Sequence, residues 1–172
     1  MSDTPTDTGY TAVSTGRGGQ NDTSNACALD AYGGIECWGG WPYHTDAYGS
    51  SGKPTGTGYT TVSIGGAHGC ALDSSGSIEC VGYDEYGQVS DTPIGSGYTA
   101  VSANFYHNCA LDSAGGIECW GWDTGYNPVS DTPTGTGYTA VSAGENHNCA
   151  IDASGGIDCW GADNYDQVSD SP

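Results

Sequence analysis

Residues 149–159 read CAIDASGGIDC. Folded as a hairpin, the segment sets Cys149 opposite Cys159, Ala150 opposite Asp158, Ile151 opposite Ile157 and Asp152 opposite Gly156, leaving Ala153, Ser154 and Gly155 as the loop. A three-residue hairpin loop is a type I turn followed by a left-handed residue, usually glycine, so Gly155 suits its place and the register follows from the turn. Near copies begin at Cys27, Cys70 and Cys109, with Gly33, Gly76 and Gly115 at the turn. Each cysteine couple then lies directly across two antiparallel strands, at a Cα separation of roughly 4.5 Å that suits a disulfide. The spacing predicts Cys27 with Cys37, Cys70 with Cys80, Cys109 with Cys119 and Cys149 with Cys159. A shared zinc site is the rival reading, but no CxxC occurs, and thiolates paired inside separate hairpins do not converge on one metal.

Working outward, each hairpin follows an opening strand: YTAVS at Tyr10, YTTVS at Tyr59, YTAVS at Tyr98 and again at Tyr138, spaced by 49, 39 and 40 residues. Its β-branched and aromatic residues predict a strand. The chain therefore divides into unit one (10–58), unit two (59–97), unit three (98–137) and unit four (138–172) of a single repeat domain. Unit one is longer because of insertions at 15–25 and 40–54. Leu, Ile, Val and Phe make up only 19 of 172 residues and the net charge is -19, a combination that ordinarily marks disorder. Fixed spacing of Cys, Trp and Gly over four units overrules it, since a disordered chain has no use for such periodicity. Alternation along the hairpin puts Cys, Leu or Ile on one face and Ala, Asp or Glu, and Trp on the other. With bulk on both faces, each small sheet is expected between two neighbours, as in a propeller or a stack of blades.

The order VSAGENHNCAIDASGGIDCWGADNYDQV resembles the repeat of the regulator of chromosome condensation family. The pieces that carry the likeness are His68, His107 and His147, Trp38, Trp120 and Trp160, and Gly87 with Gln88. Unit one departs with Asn25 at the histidine place, and unit two with Val81 at the tryptophan place. The resemblance implies β-propeller blades of four strands, usually seven to a ring, in proteins that act through protein contacts. Four units leave three architectures open: a four-bladed ring, a partial propeller, or a head-to-tail array of blades. Both chain ends, SDTPTDTG and VSDSP, fall in the connector that elsewhere joins units, so one copy's C-terminus is positioned to be continued by another's N-terminus.

Disulfides imply an oxidising, secreted or cell-surface setting, although MSDTPTDTG has neither the basic nor the apolar region of a leader. A removed leader, or a piece of a longer secreted protein, is expected. With 21 acidic residues and only Arg17 and Lys53 opposing them, contact with phosphate backbones is repulsive, so no nucleic-acid partner is expected. Acidity of this degree fits high salt, where self-repulsion is screened, or a calcium-rich medium. Calcium is a possible ligand at Asp84 with Glu85 and Asp91, and at Asp163, Asp166 and Asp170; the alternative is that these carboxylates cap turns. The recurring histidines point to structural hydrogen bonding, and no triad, phosphate loop or metal-hydrolase motif accompanies them, so no enzyme is expected. No membrane insertion is expected either.

Departures from the repeat are the candidate interface. Arg17, Trp41, Tyr43 and Lys53 sit in or beside the unit-one insertions, and Trp122 follows the unit-three hairpin. In a homo-oligomer or polymer the two cations would meet another copy's acidic surface. As an alternative, Trp41 and Trp122 would stack on glycans in a monomeric carbohydrate- or protein-binding propeller. Asn21-Asp22-Thr23 is a glycosylation acceptor, and the threonine-rich connectors suit O-linked glycans. The leading expectation is a secreted, non-catalytic, all-β structural or interaction module that self-associates.

Overall fold

The computed structural model describes residues 5–16, 25–39, 53–123 and 125–172. Among these residues, twelve strands fall into four antiparallel sheets of three. Unit one holds β1 (Ala12–Gly16), β2 (Asn25–Leu29) and β3 (Ile35–Gly39); unit two holds β4 (Tyr59–Ile64), β5 (His68–Asp73) and β6 (Ile78–Gly82). In unit three come β7 (Tyr98–Ala103), β8 (His107–Asp112) and β9 (Ile117–Gly121), and in unit four β10 (Tyr138–Ala143), β11 (His147–Asp152) and β12 (Ile157–Gly161). Strand order in every sheet follows chain order, so each blade is a simple meander.

The hairpin register is the one the turn dictates. Cys27, Cys70, Cys109 and Cys149 lie opposite Cys37, Cys80, Cys119 and Cys159, with Cα atoms 4.1 Å apart, and all four pairs are bonded. Gly33, Gly76, Gly115 and Gly155 take φ of +72° to +88°, the left-handed region that a three-residue loop requires. One aspartate carboxylate fastens each turn: Asp152 Oδ1 accepts from the amides of Ser154 (2.7 Å) and Gly156 (2.8 Å), and Asp30, Asp73 and Asp112 do the same in the other units.

Among the described residues each blade has three strands, not the four that the family resemblance implies. After β6, β9 and β12 the chain turns instead of extending, because Asp84, Asp123 and Asp163 each gather two successive backbone amides, Val89 and Ser90 in the first case, at 2.7–3.0 Å. An amide held by a side chain is lost to a sheet ladder.

Blades stack face to face with a constant offset. The Cys27, Leu29 and Ile35 face of unit one packs on Tyr59, Val62, Ile64 and Ala71 of unit two. Cys70, Leu72 and Cys80 then meet Val101, Ala103, Ala110 and Trp120, and Cys109 meets Ala143, Ala150 and Trp160. Core therefore lies between blades rather than within one. Of the architectures left open by the sequence, the partial propeller is the one formed. At one end Val13 is 67% exposed, whereas Val62 and Val101 are buried. At the other, Ile151 and Ile157 are 41% and 37% exposed, whereas their counterparts Leu29, Ile35, Leu72 and Leu111 are buried.

Candidate functional site

Apolar packing brings the blades together, and three recurring polar contacts fix how they sit. In the first, the serine of YTAVS reaches forward: Ser14 Oγ accepts from Ile64 N (3.0 Å), Ser63 Oγ from Ala103 N (2.9 Å) and Ser102 Oγ from Ala143 N (3.0 Å). In the second, the hairpin turn of one blade accepts from the residue that opens the next. Tyr59 N donates to Gly33 O, Tyr98 N to Gly76 O and Tyr138 N to Gly115 O, at 3.0–3.1 Å. Backbone comes so close there that a Cβ on Gly33, Gly76 or Gly115 would lie 2.4–2.5 Å from the next blade's amide nitrogen, so glycine is required twice over, for conformation and for space.

The third contact is buried and uses side chains. His68 Nε2 lies 2.6 Å from Asn108 Oδ1, and His107 Nε2 lies 2.7 Å from Asn148 Oδ1. Asn108 Nδ2 donates to the carbonyl of Gln88 (3.0 Å), which also accepts from Trp120 Nε1 (3.0 Å); Asn148 and Trp160 share the carbonyl of Pro128 in the same way. Because each asparagine amide faces a carbonyl, its oxygen must face the imidazole, and the histidine donates from Nε2. Nδ1, which carries the lone pair, then has no partner among the described residues in either histidine. Burial in this dry joint pushes the His68 imidazole down to about 4 against the weaker opposing pull of its bond to Asn108. His107 is lowered for the same reasons, with Asn148 opposing.

Acidic side chains serve the blades themselves. The tyrosine that opens each unit donates to the acid of the third strand: Tyr10 to Glu36, Tyr59 to Glu79, Tyr98 to Glu118 (2.5 Å) and Tyr138 to Asp158 (2.7 Å). Desolvation first and the Glu79 bond second push the Tyr59 phenol up to about 12. Nothing in composition pointed to these pairs or to the serine and asparagine contacts. The usable signal was the period: Tyr and acid stand 20 residues apart in units two to four, and His68 and Asn108 stand 40 apart.

The residues singled out from sequence fall as follows. Arg17, Trp41, Tyr43 and the Asn21 acceptor lie outside the described residues. Lys53 donates through Nζ to the carbonyl of Ile35 in its own unit. Trp122 is half-buried in unit three with its ring 5.8 Å from Tyr106, in an aromatic cluster that includes Phe105, Tyr86 and Tyr83. Of the calcium candidates, Asp84 and Asp163 hold backbone amides. Asp91 and Asp170 donate their own amides to the carbonyls of Gly87 and Asp166. Among the described residues no three His, Cys, Asp or Glu side chains are grouped as metal ligands.

Residues 138–167, most of unit four, match the family model of the Regulator of chromosome condensation (RCC1) repeat. No curated protein matches the chain in sequence. In fold, the chain is similar to the CRINKLY WD40 ectodomain of the Arabidopsis thaliana receptor kinase ACR4, with a TM-score of 0.65 and 22% identity over 88% of this chain and 49% of that one. It is similar to human WBSCR16 (TM-score 0.68, 14% identity, 92% of this chain and 49% of that one). Prp20p from Saccharomyces cerevisiae gives a TM-score of 0.64 and 16% identity, over 91% of this chain and 47% of that one. The chain thus spans about half the length of each of these structures. Its four disulfides belong to an oxidising, extracellular-type environment.

Proposed function

For a chain built as an open run of RCC1-type propeller blades, we propose the function of a secreted, non-catalytic structural module that self-associates head to tail through its two end faces. One observation carries the reading: unit four presents every element of a joint, and none of the described residues covers it. Ile151 and Ile157 are exposed, and a Cβ on Gly155 meets nothing within 4 Å where the three equivalent glycines meet the next blade. Ser142, counterpart of Ser14, Ser63 and Ser102, is exposed. At the opposite end, Gly9 has φ +93°, the conformation of Gly58, Gly97 and Gly137, which precede the tyrosines that dock on a hairpin turn. Unit one thus holds Gly9 and Tyr10 in the conformation that docks on a turn, and no described residue supplies that turn.

Two copies each carrying a net charge of -19 repel one another, so association strengthens as salt screens them. The acidic surface then suits a saline exterior, and it keeps nucleic acid away. A second reading, a monomer that binds carbohydrate or protein, draws on the aromatic cluster around Tyr106 and Trp122, where Tyr86 is 39% exposed.

Sedimentation velocity in molar salt separates the two. Association that grows with concentration is expected, and Ile157→Asp should weaken it at least tenfold, because the joint would then have to bury an unpaired carboxylate, at a cost of several kcal/mol. The dilute variant should unfold at the wild-type midpoint, since Ile157 is uncovered in the single chain. A concentration-independent monomer, or association indifferent to Ile157→Asp, defeats the assembly reading.

A further inference from the structure

The open face of unit four also carries polar groups that the interior joints use. In the two joints on either side of unit three, one blade offers an imidazole Nε2 and a backbone carbonyl, and the next blade answers both with a single asparagine. That asparagine follows the residue that opens the second strand: Asn108 after His107, and Asn148 after His147. Unit four offers the same pair again. His147 stands where His68 and His107 stand, and Gln167 where Gln88 and Pro128 supply the carbonyl. His68, His107 and Gln88 are essentially fully buried and hydrogen-bonded, whereas His147 and Gln167 are only half-buried. Gln167 Oε1 accepts from Tyr165 N, but neither the His147 ring nor the backbone carbonyl of Gln167 has a hydrogen-bond partner among the described residues.

We infer that this face recognises an incoming propeller blade by an asparagine at the position of Asn108 and Asn148, together with a tryptophan at that of Trp120 and Trp160. Apolar complementarity alone does not make the choice, because the Tyr, Val and Ala that an incoming blade contributes recur in every unit: Tyr10, Val13 and Ala28 in unit one match Tyr59, Val62 and Ala71, Tyr98, Val101 and Ala110, and Tyr138, Val141 and Ala150. Unit one matches in part. It has Trp38 to reach the carbonyl but Ala26 at the asparagine place. A blade with asparagine satisfies both His147 and Gln167, whereas a copy of this chain leaves the imidazole N–H buried and unanswered. The preferred occupant is therefore a blade of the unit-three or unit-four kind, and a second copy of this chain is admitted at lower affinity. This selectivity rests on the reading of the end faces as joints, and it ranks what they accept.

The test uses the full chain as its own probe. Ala26→Asn places the missing amide on the head face, and Ala26→Leu adds similar bulk without it. In molar salt, Ala26→Asn should tighten self-association by about tenfold, the effect of one to two net hydrogen bonds in a dry joint. His147→Ala in the same chain should cancel that gain, and Ala26→Leu should produce none. Equal association of wild type and Ala26→Asn, a gain that survives His147→Ala, or an equal gain with Ala26→Leu overturns the selector. The wild-type measurement stands apart: a monomeric wild type defeats the self-assembly reading, whereas an Ala26→Asn chain that then associates through His147 still upholds the selector. Circular dichroism of each dilute variant confirms that the comparison is between folded chains.

Discussion

Full reduction of the four disulfides is expected to unfold the protein at room temperature without any denaturant. Each bridge closes a loop of 10 residues in sequence separation, worth about 2.7 kcal/mol in the chain-entropy model. Together they contribute on the order of 10 kcal/mol, as much as the entire stability of an ordinary domain. The aliphatic core has little to set against such a loss. Only 19 of 172 residues are Leu, Ile, Val or Phe, and three of the four cysteine pairs are themselves part of the core: Cys27, Cys70 and Cys109 are fully buried between blades. Reduction converts buried bridges into separate thiols at the same places and frees the strands they hold in register. Far-ultraviolet circular dichroism before and after reduction at neutral pH reads the outcome, and a reduced chain that keeps its β-sheet spectrum and a cooperative thermal transition contradicts it.

Mild acid should loosen the two joints around unit three before it reaches the carboxylates. His68 is held neutral in the folded chain, down at about 4, whereas an unfolded histidine takes its proton near 6.5. Between those values the unfolded chain binds the extra proton and the folded chain does not, so stability falls as pH falls. Above pH 6.5 both states are neutral and the loss vanishes; below 4 both are protonated and it is complete. Its full size is about 3 kcal/mol for His68, with His107 acting in the same direction. Asp73, Asp152 and Asp163 are lowered chiefly by hydrogen bonds, from Ser75 for Asp73, from Ser154 for Asp152 and from the Ser169 amide for Asp163. Their contribution is lost only as pH falls below the ordinary carboxylate range. Urea unfolding midpoints between pH 7 and 5 therefore report the histidines. His68→Gln, which keeps an N–H for Asn108 but cannot titrate, should flatten the slope; an unchanged slope would remove the buried imidazole from the explanation.

Where local chemistry decides the geometry, the sequence was readable. Gly155 and its counterparts fix the turn, the turn fixes the register, and the register pairs every cysteine. The strand count of a blade was not readable from the resemblance, because a carboxylate such as Asp84 gathers two amides and turns the chain after the third strand. Openness was beyond composition as well: Ile151 and Leu72 hold the same place in their units, and only the neighbouring blade makes one buried and the other exposed. The histidines were recognisable as hydrogen-bonding residues, but their partners lie one full period away, where no local pattern points.

That unit four presents an uncovered joint is most directly tested by timing the opening of each disulfide under partial reduction, with trapped thiols mapped by mass spectrometry in dilute and in concentrated solution. Cys149 is only half-buried where Cys27, Cys70 and Cys109 are sealed. The Cys149–Cys159 bridge should therefore open first in dilute protein and slow toward the pace of Cys70–Cys80 as concentration and salt rise. A Cys149–Cys159 bridge that opens no faster than Cys70–Cys80 when dilute, or whose rate ignores concentration, would contradict the account.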